Sequence, residues 1–103
     1  MLFRSDYPQA FFLNAVANYN LKKLDTAEKS ARAAQRLDTR HIYPEISRLL
    51  GIILVNRQQY AEAADALRDF LLADPHSVEA PAVRQQLDDL EKKTIPADQM
   101  AKK

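Results

Sequence analysis

The sequence predicts an all-α fold, a row of antiparallel helix hairpins, and three observations lead there. Apolar residues recur at spacings of three and four along most of the chain, which marks one face of a helix and not the alternation of a strand. Prolines fall where such patterns begin or end. The chain also repeats itself: displaced by 36 residues, Tyr7-Pro8 meets Tyr43-Pro44, Leu13 meets Leu49, Asn20 meets Asn56, Ala27 meets Ala63, Arg32 meets Arg68 and Asp38 meets Asp74. A period of this length is the signature of stacked helix pairs.

The first helix reads as PQAFFLNAVANYN, with Pro8 in the first turn, where its missing N–H is no loss, and with Phe11, Phe12, Ala15, Val16 and Tyr19 apolar. LDTAEKSARAAQRL gives the second, facing inward through Leu24, Ala27, Ala31, Ala34 and Leu37; small residues on that face allow a close neighbour. Pro44 restarts the pattern, and PEISRLLGIILVN turns Ile46, Leu49, Leu50, Ile53 and Leu54 inward. YAEAADALRDFLLA repeats the spacing at Tyr60, Ala63, Leu67, Phe70 and Leu71 and stops at Asp74-Pro75. Ser77 is placed to cap a fifth helix carrying Val83, Leu87 and Leu90, with Pro81 near its first turn. The predicted organisation is a lead-in over 1–7, one unit over 8–41, a second over 42–76, a cap helix or half unit over 77–93, and a polar tail over 94–103.

Composition narrows the function. Across 103 residues, 47% are hydrophobic and 28% charged, the balance of a chain that folds around a core. Fifteen Lys+Arg against fourteen Asp+Glu leave a net charge of +1, without the basic excess of a nucleic-acid binder. The absence of cysteine excludes disulfides, thiolate nucleophiles and Cys-ligated zinc. No run approaches the roughly 18 apolar residues of a membrane span, and MLFRSDYPQAFF lacks a signal peptide's apolar centre.

The second unit resembles the tetratricopeptide repeat family, whose helix-turn-helix unit follows W-x₂-L-G-x₂-Y, then A-x₃-F, then P. Leu50-Gly51 stand at L-G, Leu54 at the tyrosine, Ala63 and Leu67 at A-x₃-F, and Pro75 at the closing proline, while Ser47 replaces the tryptophan. In the first unit Phe11 takes the tryptophan position, Ala15 the glycine, and Ala27 and Ala31 the A-x₃-F pair, with Asn14, Asn18 and Thr39 departing. The resemblance covers residues 8–75 and implies a short right-handed superhelix of two repeats closed by a C-terminal cap helix. It also gives Gly51, the chain's one glycine, a packing role: a bare position lets the partner helix come close, as Ala15, Ala27 and Ala63 do elsewhere.

In that family the first helix of each unit lines a concave surface that selects the ligand. Carried over, the resemblance places Gln9, Phe12, Val16, Tyr19 and Asn20 on this surface from the first helix, and Glu45, Arg48, Ile52, Val55 and Asn56 from the third. The family's carboxylate clamp is missing, because Phe12, Val16, Leu49 and Ile52 hold its positions and cannot donate hydrogen bonds. The implied partner is a protein or peptide with apolar anchors, bound without a cofactor. On this reading the chain is a fragment of a larger protein, and three alternatives stand beside it, one being a regulatory domain attached to catalytic sequence outside this chain. Phe12, Val16 and Ile52 can be core under the fifth helix or a neighbouring repeat, or the chain can self-associate into a homo-oligomer through Leu2, Phe3, Phe11 and the apolar side of the fifth helix.

No catalytic constellation accompanies this surface. His41 and His76 sit in the two matching inter-unit turns, where a turn role suffices. Asp88 and Asp89 are adjacent and so point apart on a helix. Neither a Gly-rich phosphate loop nor a G-x-S-x-G elbow occurs, and the reading is non-enzymatic. Lys29, Arg32, Arg36 and Arg40 make a basic stripe on the second helix, against acids Glu62, Asp65, Asp69, Asp74 and Glu79 farther on. Both read as solvated faces, with Glu28 one turn from Arg32 as its partner; the alternative is that they steer an acidic partner or another copy of the chain head to tail.

Overall fold

Helix order follows the sequence expectation closely. A computed structural model, described over residues 7–94, contains α1 (Pro8–Asn20), α2 (Leu24–Leu37), α3 (Pro44–Asn56), α4 (Tyr60–Ala73) and α5 (Ala80–Thr94), with no strand among the described residues. Most of the lead-in and all but the first residue of the polar tail lie outside the described residues. Within each unit the helices pack as a hairpin, α1 with α2 and α3 with α4; α2 joins the hairpins by packing on α3, and α5 packs on α4. None of the described helices is long and apolar enough to cross a membrane.

The repetition extends to the backbone. α1 and α3 each start with tyrosine at the N-cap and proline at the first helical position, and neither has a side-chain cap; the fixed φ of proline does the ordering. Both helices then end in the same turn. Lys22 and Gln58 adopt left-handed φ of 62° and 63°. Lys22 N–H donates to Tyr19 O and Lys23 N–H to Asn18 O, at 2.9 and 2.8 Å, and the pairs Gln58 to Val55 and Gln59 to Leu54 repeat them at 2.9 Å each. This double closure of a helix end is usually made by glycine. Lys and Gln hold it at a conformational cost of roughly 1–2 kcal/mol apiece.

The turn between the units is organised by Asp38. This acid is only 7% exposed, and its two carboxylate oxygens accept the backbone N–H groups of Ile42 and Tyr43 at 3.0 Å each. Its carbonyl accepts from His41 N–H at 3.0 Å, as Asp74 O accepts from Ser77 N–H at 3.2 Å in the second inter-unit turn. His41, exposed and held at a φ of 55°, contributes backbone shape here.

The core runs between the hairpins. Ala15, Ala27, Ala31, Leu50, Ile53, Leu54, Ala63, Leu67 and Phe70 are buried within it, and Val83 and Leu90 of α5 extend it past α4. Each large aliphatic there contributes about 1.5–3 kcal/mol by leaving water. Gly51 packs as expected of a bare position, but its nearest neighbour is a side chain. A Cβ added to it would stand 2.6 Å from Leu67 Cδ2 and 3.0 Å from Leu67 Cγ, whereas the backbone oxygen of Ala63 would be at an ordinary 3.5 Å.

Three details differ from the sequence expectation. Leu37 is 39% exposed, bordering the cavity between the start of α1 and the turn after α2 in place of a packed neighbour. Ser77 does not cap α5: its Oγ accepts Glu79 N–H at 3.1 Å inside the preceding turn, and the helix begins at Ala80. The apolar side of α5 is not an exposed end face, since Val83 and Leu90 are buried against α4.

The two units differ most on the side facing backward along the chain. In α3, Ile46, Leu50 and Ile53 are buried and Leu49 packs against the core, with α2 as the preceding neighbour. The equivalent residues of α1 are Ala10, Asn14, Ala17 and Leu13. Among them Leu13 is 63% exposed, while Asn14 accepts hydrogen bonds from Asn18 Nδ2 and Ser30 Oγ.

Candidate functional site

The surface read from the sequence consists of the same positions used twice. Gln9, Phe12, Val16, Tyr19 and Asn20 of α1 correspond, at the 36-residue offset, to Glu45, Arg48, Ile52, Val55 and Asn56 of α3. The structure leaves all of them at least partly accessible: Gln9, Asn20, Glu45 and Asn56 are exposed, and the others are half-buried. Tyr19, Val55 and the neighbouring Leu49 lean on the core, which makes them walls of this surface more than free anchors. Phe12, Val16 and Ile52 are its half-buried apolar residues. Helix α5 packs on α4 and not on α1 or α3, so it does not bury them.

Two cross-helix hydrogen bonds hold α1 beside α3. Gln9 Nε2 donates to Tyr43 Oη near the start of both helices. Near their ends Asn56 Nδ2 donates to Tyr19 Oη at 3.3 Å and to Ile52 O at 2.9 Å. Arg48 reaches the other way, its Nε 3.4 Å from Glu79 Oε1. That separation gives charge attraction without hydrogen-bond geometry, so the shielded Nε–H has no acceptor among the described residues.

A second group of surface residues is ionic. Glu28, with its side chain 17% exposed, receives Arg32 Nε at 2.8 Å and Arg57 at 3.4 Å. Arg32 also reaches Glu62 on α4 at 2.8 Å, and Arg57 pairs with Asp25. The hydrogen bond that Arg32 Nε donates to Glu28 is the largest of the influences that raise the Arg32 pKa above its ordinary value. The expected Glu28–Arg32 pair is therefore present, extended into a chain of charges joining α2, the turn after α3, and α4. On the far edge of α4, Arg68 pairs with Asp65 at 2.9 Å and with Glu91 of α5 at 2.7 Å, which likewise raises its pKa.

Cavities add a region that the sequence did not reveal. One of about 460 Å³ lies between the end of α2, the start of α3 and the end of α4, and a second of about 350 Å³ continues it along α2 and α4. Gln35 and Asp69 border both. A third, of about 310 Å³, lies between the start of α1 and the turn held by Asp38, and Gln9 borders it. The cleft between α2 and α4 escaped sequence reading because its residues belong to different units and look individually like solvated surface. Asp38 and Asp74, repeated at the inter-unit turns, were the available signal for the turn itself.

His41 and His76 are both exposed turn residues, and no three metal-ligating side chains gather among the described residues. Asp88 and Asp89 diverge, toward Lys92 at 3.6 Å and Gln85 at 3.2 Å respectively. In comparisons with known proteins, no family model, curated protein or solved structure matches the chain.

Proposed function

We propose that this chain is a tetratricopeptide-like interaction module that binds a protein or peptide across the joined faces of α1 and α3. The observation that carries the reading is the pairing of equivalent residues on two helices held side by side. Phe12, Val16 and Ile52 remain half-buried there, and the Gln9–Tyr43 and Tyr19–Asn56 bonds fix the spacing between the helices. Preformed spacing lowers the ordering cost of binding. Apolar anchors would enter between the helices, while Arg48, Asn20 and Asn56 set the register of the bound chain. The arrangement of two hairpins and α5 is, on this reading, a short right-handed superhelix with a cap helix, acting by surface complementarity and without catalysis.

The test is capture of partners by the wild type and by Ile52→Glu, with circular dichroism to verify that both are equally helical. Partners retained only by the wild type support the assignment. Equal capture by both removes α3 from the binding surface.

One observation favours a second reading, self-association. Leu13 is 63% exposed at the position where Leu49 packs against the core, so a second copy could cover α1 as α2 covers α3. Of the residues first assigned to such contacts, Leu2 and Phe3 lie outside the described residues, Phe11 is half-buried, and the apolar side of α5 already faces α4. Sedimentation of the wild type and of Leu13→Asp separates the readings, because only a self-associating chain loses mass on substitution.

A further inference from the structure

The cleft between α2 and α4 lies apart from the α1–α3 surface and has different chemistry. Its larger cavity, about 460 Å³, is within the size range of ligand pockets. Ile46 and Tyr43 line it as apolar surface, and Leu72, 82% exposed, stands on its border. Gln35 and Ser47 line it too, and their mutual contact is a slack 3.5 Å. At that length the hydroxyl and the amide retain most of their hydrogen-bonding capacity.

Charge decides what fits. Four acids border the joined cavities, and three are engaged: Asp38 by two backbone amides, Glu62 by Arg32 and Asp65 by Arg68. Asp69, exposed where the two cavities meet, has neither a hydrogen bond nor an ion pair among the described residues. The cation lining the cleft, Arg32, is already shared between Glu28 and Glu62. The cleft therefore presents one uncompensated carboxylate next to an apolar pocket and two adaptable polar groups.

We propose that this cleft is a second docking site, for a short peptide segment in which a lysine or arginine stands beside an aliphatic residue. The cation lies against the Asp69 carboxylate, which no cationic side chain among the described residues pairs, Arg32 being shared between Glu28 and Glu62. The aliphatic side chain covers Leu72 and enters beside Ile46, and Gln35 and Ser47 hydrogen-bond the peptide backbone. An acidic segment is excluded, since Asp69 would repel it and Asp65 stands one turn away.

The experiment is a titration of the ¹⁵N-labelled full chain with acetyl-Leu-Lys-Leu-amide and, separately, acetyl-Leu-Glu-Leu-amide, read as amide shifts. The lysine peptide should move the Gln35, Ser47, Asp69 and Ala73 signals saturably at roughly millimolar concentration, as suits so small a probe. Asp69→Asn should weaken that binding about two- to fivefold, the strength of one exposed ion pair. Ile52→Glu should leave it unchanged, so this proposal fails or stands independently of the α1–α3 surface. Equal binding of both peptides, shifts confined to α1 and α3, or the same cleft signals moving on dilution without peptide would each overturn it, the last by assigning the cleft to a second copy of the chain.

Discussion

Gly51 and Leu67 fit together as a hole and a knob: the space that a Cβ would occupy on α3 is filled by the Leu67 side chain from α4, whose Cδ2 lies 2.6 Å from that point. The glycine forfeits about 1 kcal/mol of helix propensity relative to alanine, and the contact offsets that loss. Gly51→Ala should accordingly destabilise the protein by about 1–3 kcal/mol, the usual range for overpacking. In a Leu67→Ala background the same change should be neutral or stabilising. Denaturant melts of the four-member cycle check this; equal effects in both backgrounds would show that Leu67 does not oppose the methyl.

The two left-handed turns make the reverse prediction. Lys22→Gly and Gln58→Gly relieve φ values of 62° and 63° and should each raise stability by about 0.5–1 kcal/mol, since glycine adopts that conformation without a Cβ penalty. The effects should add, because the sites lie in separate turns. Thermal melting of the single and double variants measures both.

Asp38→Ala should remove about 2–3 kcal/mol, because two backbone N–H groups lose a charged acceptor in a buried setting. Asp38→Asn should be milder, retaining one acceptor oxygen. Hydrogen exchange at Ile42 and Tyr43 should quicken in both, more in the alanine variant.

The charge chain through Glu28 predicts a salt-sensitive contribution. Glu28→Gln should cost about 1 kcal/mol at low ionic strength and less in high salt, as befits partly exposed pairs. Because the Arg32 pKa is raised on folding, its own contribution persists at neutral pH and falls away only above the ordinary arginine range. Chemical melts at two salt concentrations test the first statement, and an alkaline melt series the second.

Leu13 and Leu49 hold equivalent positions with opposite environments. Leu49→Asp should destabilise by about 2–4 kcal/mol, and Leu13→Asp should stay within about 0.5 kcal/mol. Comparable losses at both would mean that α1 is covered in solution.

The first four helices were legible in sequence to their end residues, because proline at the start and spacing of apolar residues are local signals. Leu37 was misplaced since its spacing is helical but it faces a cavity at the start of α1, which spacing does not record. Ser77 carries the residue type of a cap, yet the chain makes one more turn before α5. Gly51 was legible as a packing residue, but only the structure shows that it receives Leu67 more than a backbone. Of the candidate surface, the equivalence of positions in α1 and α3 could be read from the repeat; Arg48 reaching toward Glu79, and Tyr19 bonding Asn56, could not. The α2–α4 cleft depends on how two units abut, a relation that no single stretch of sequence records.

The hole and knob also bear on how the hairpins choose partners while the chain folds. At the positions of Gly51 and Leu67 the first unit has Ala15 and Ala31, two residues of equal and small volume. A misfolded hairpin pairing α3 with α2 would set Gly51 against Ala31 and leave a void; one pairing α1 with α4 would drive Leu67 into Ala15. Near-identical turns and helix lengths would otherwise make the two units easy to exchange, within one chain or between chains. Volume at this one layer gives each first helix a preferred mate, so the repeat keeps its order without needing a different fold in each copy.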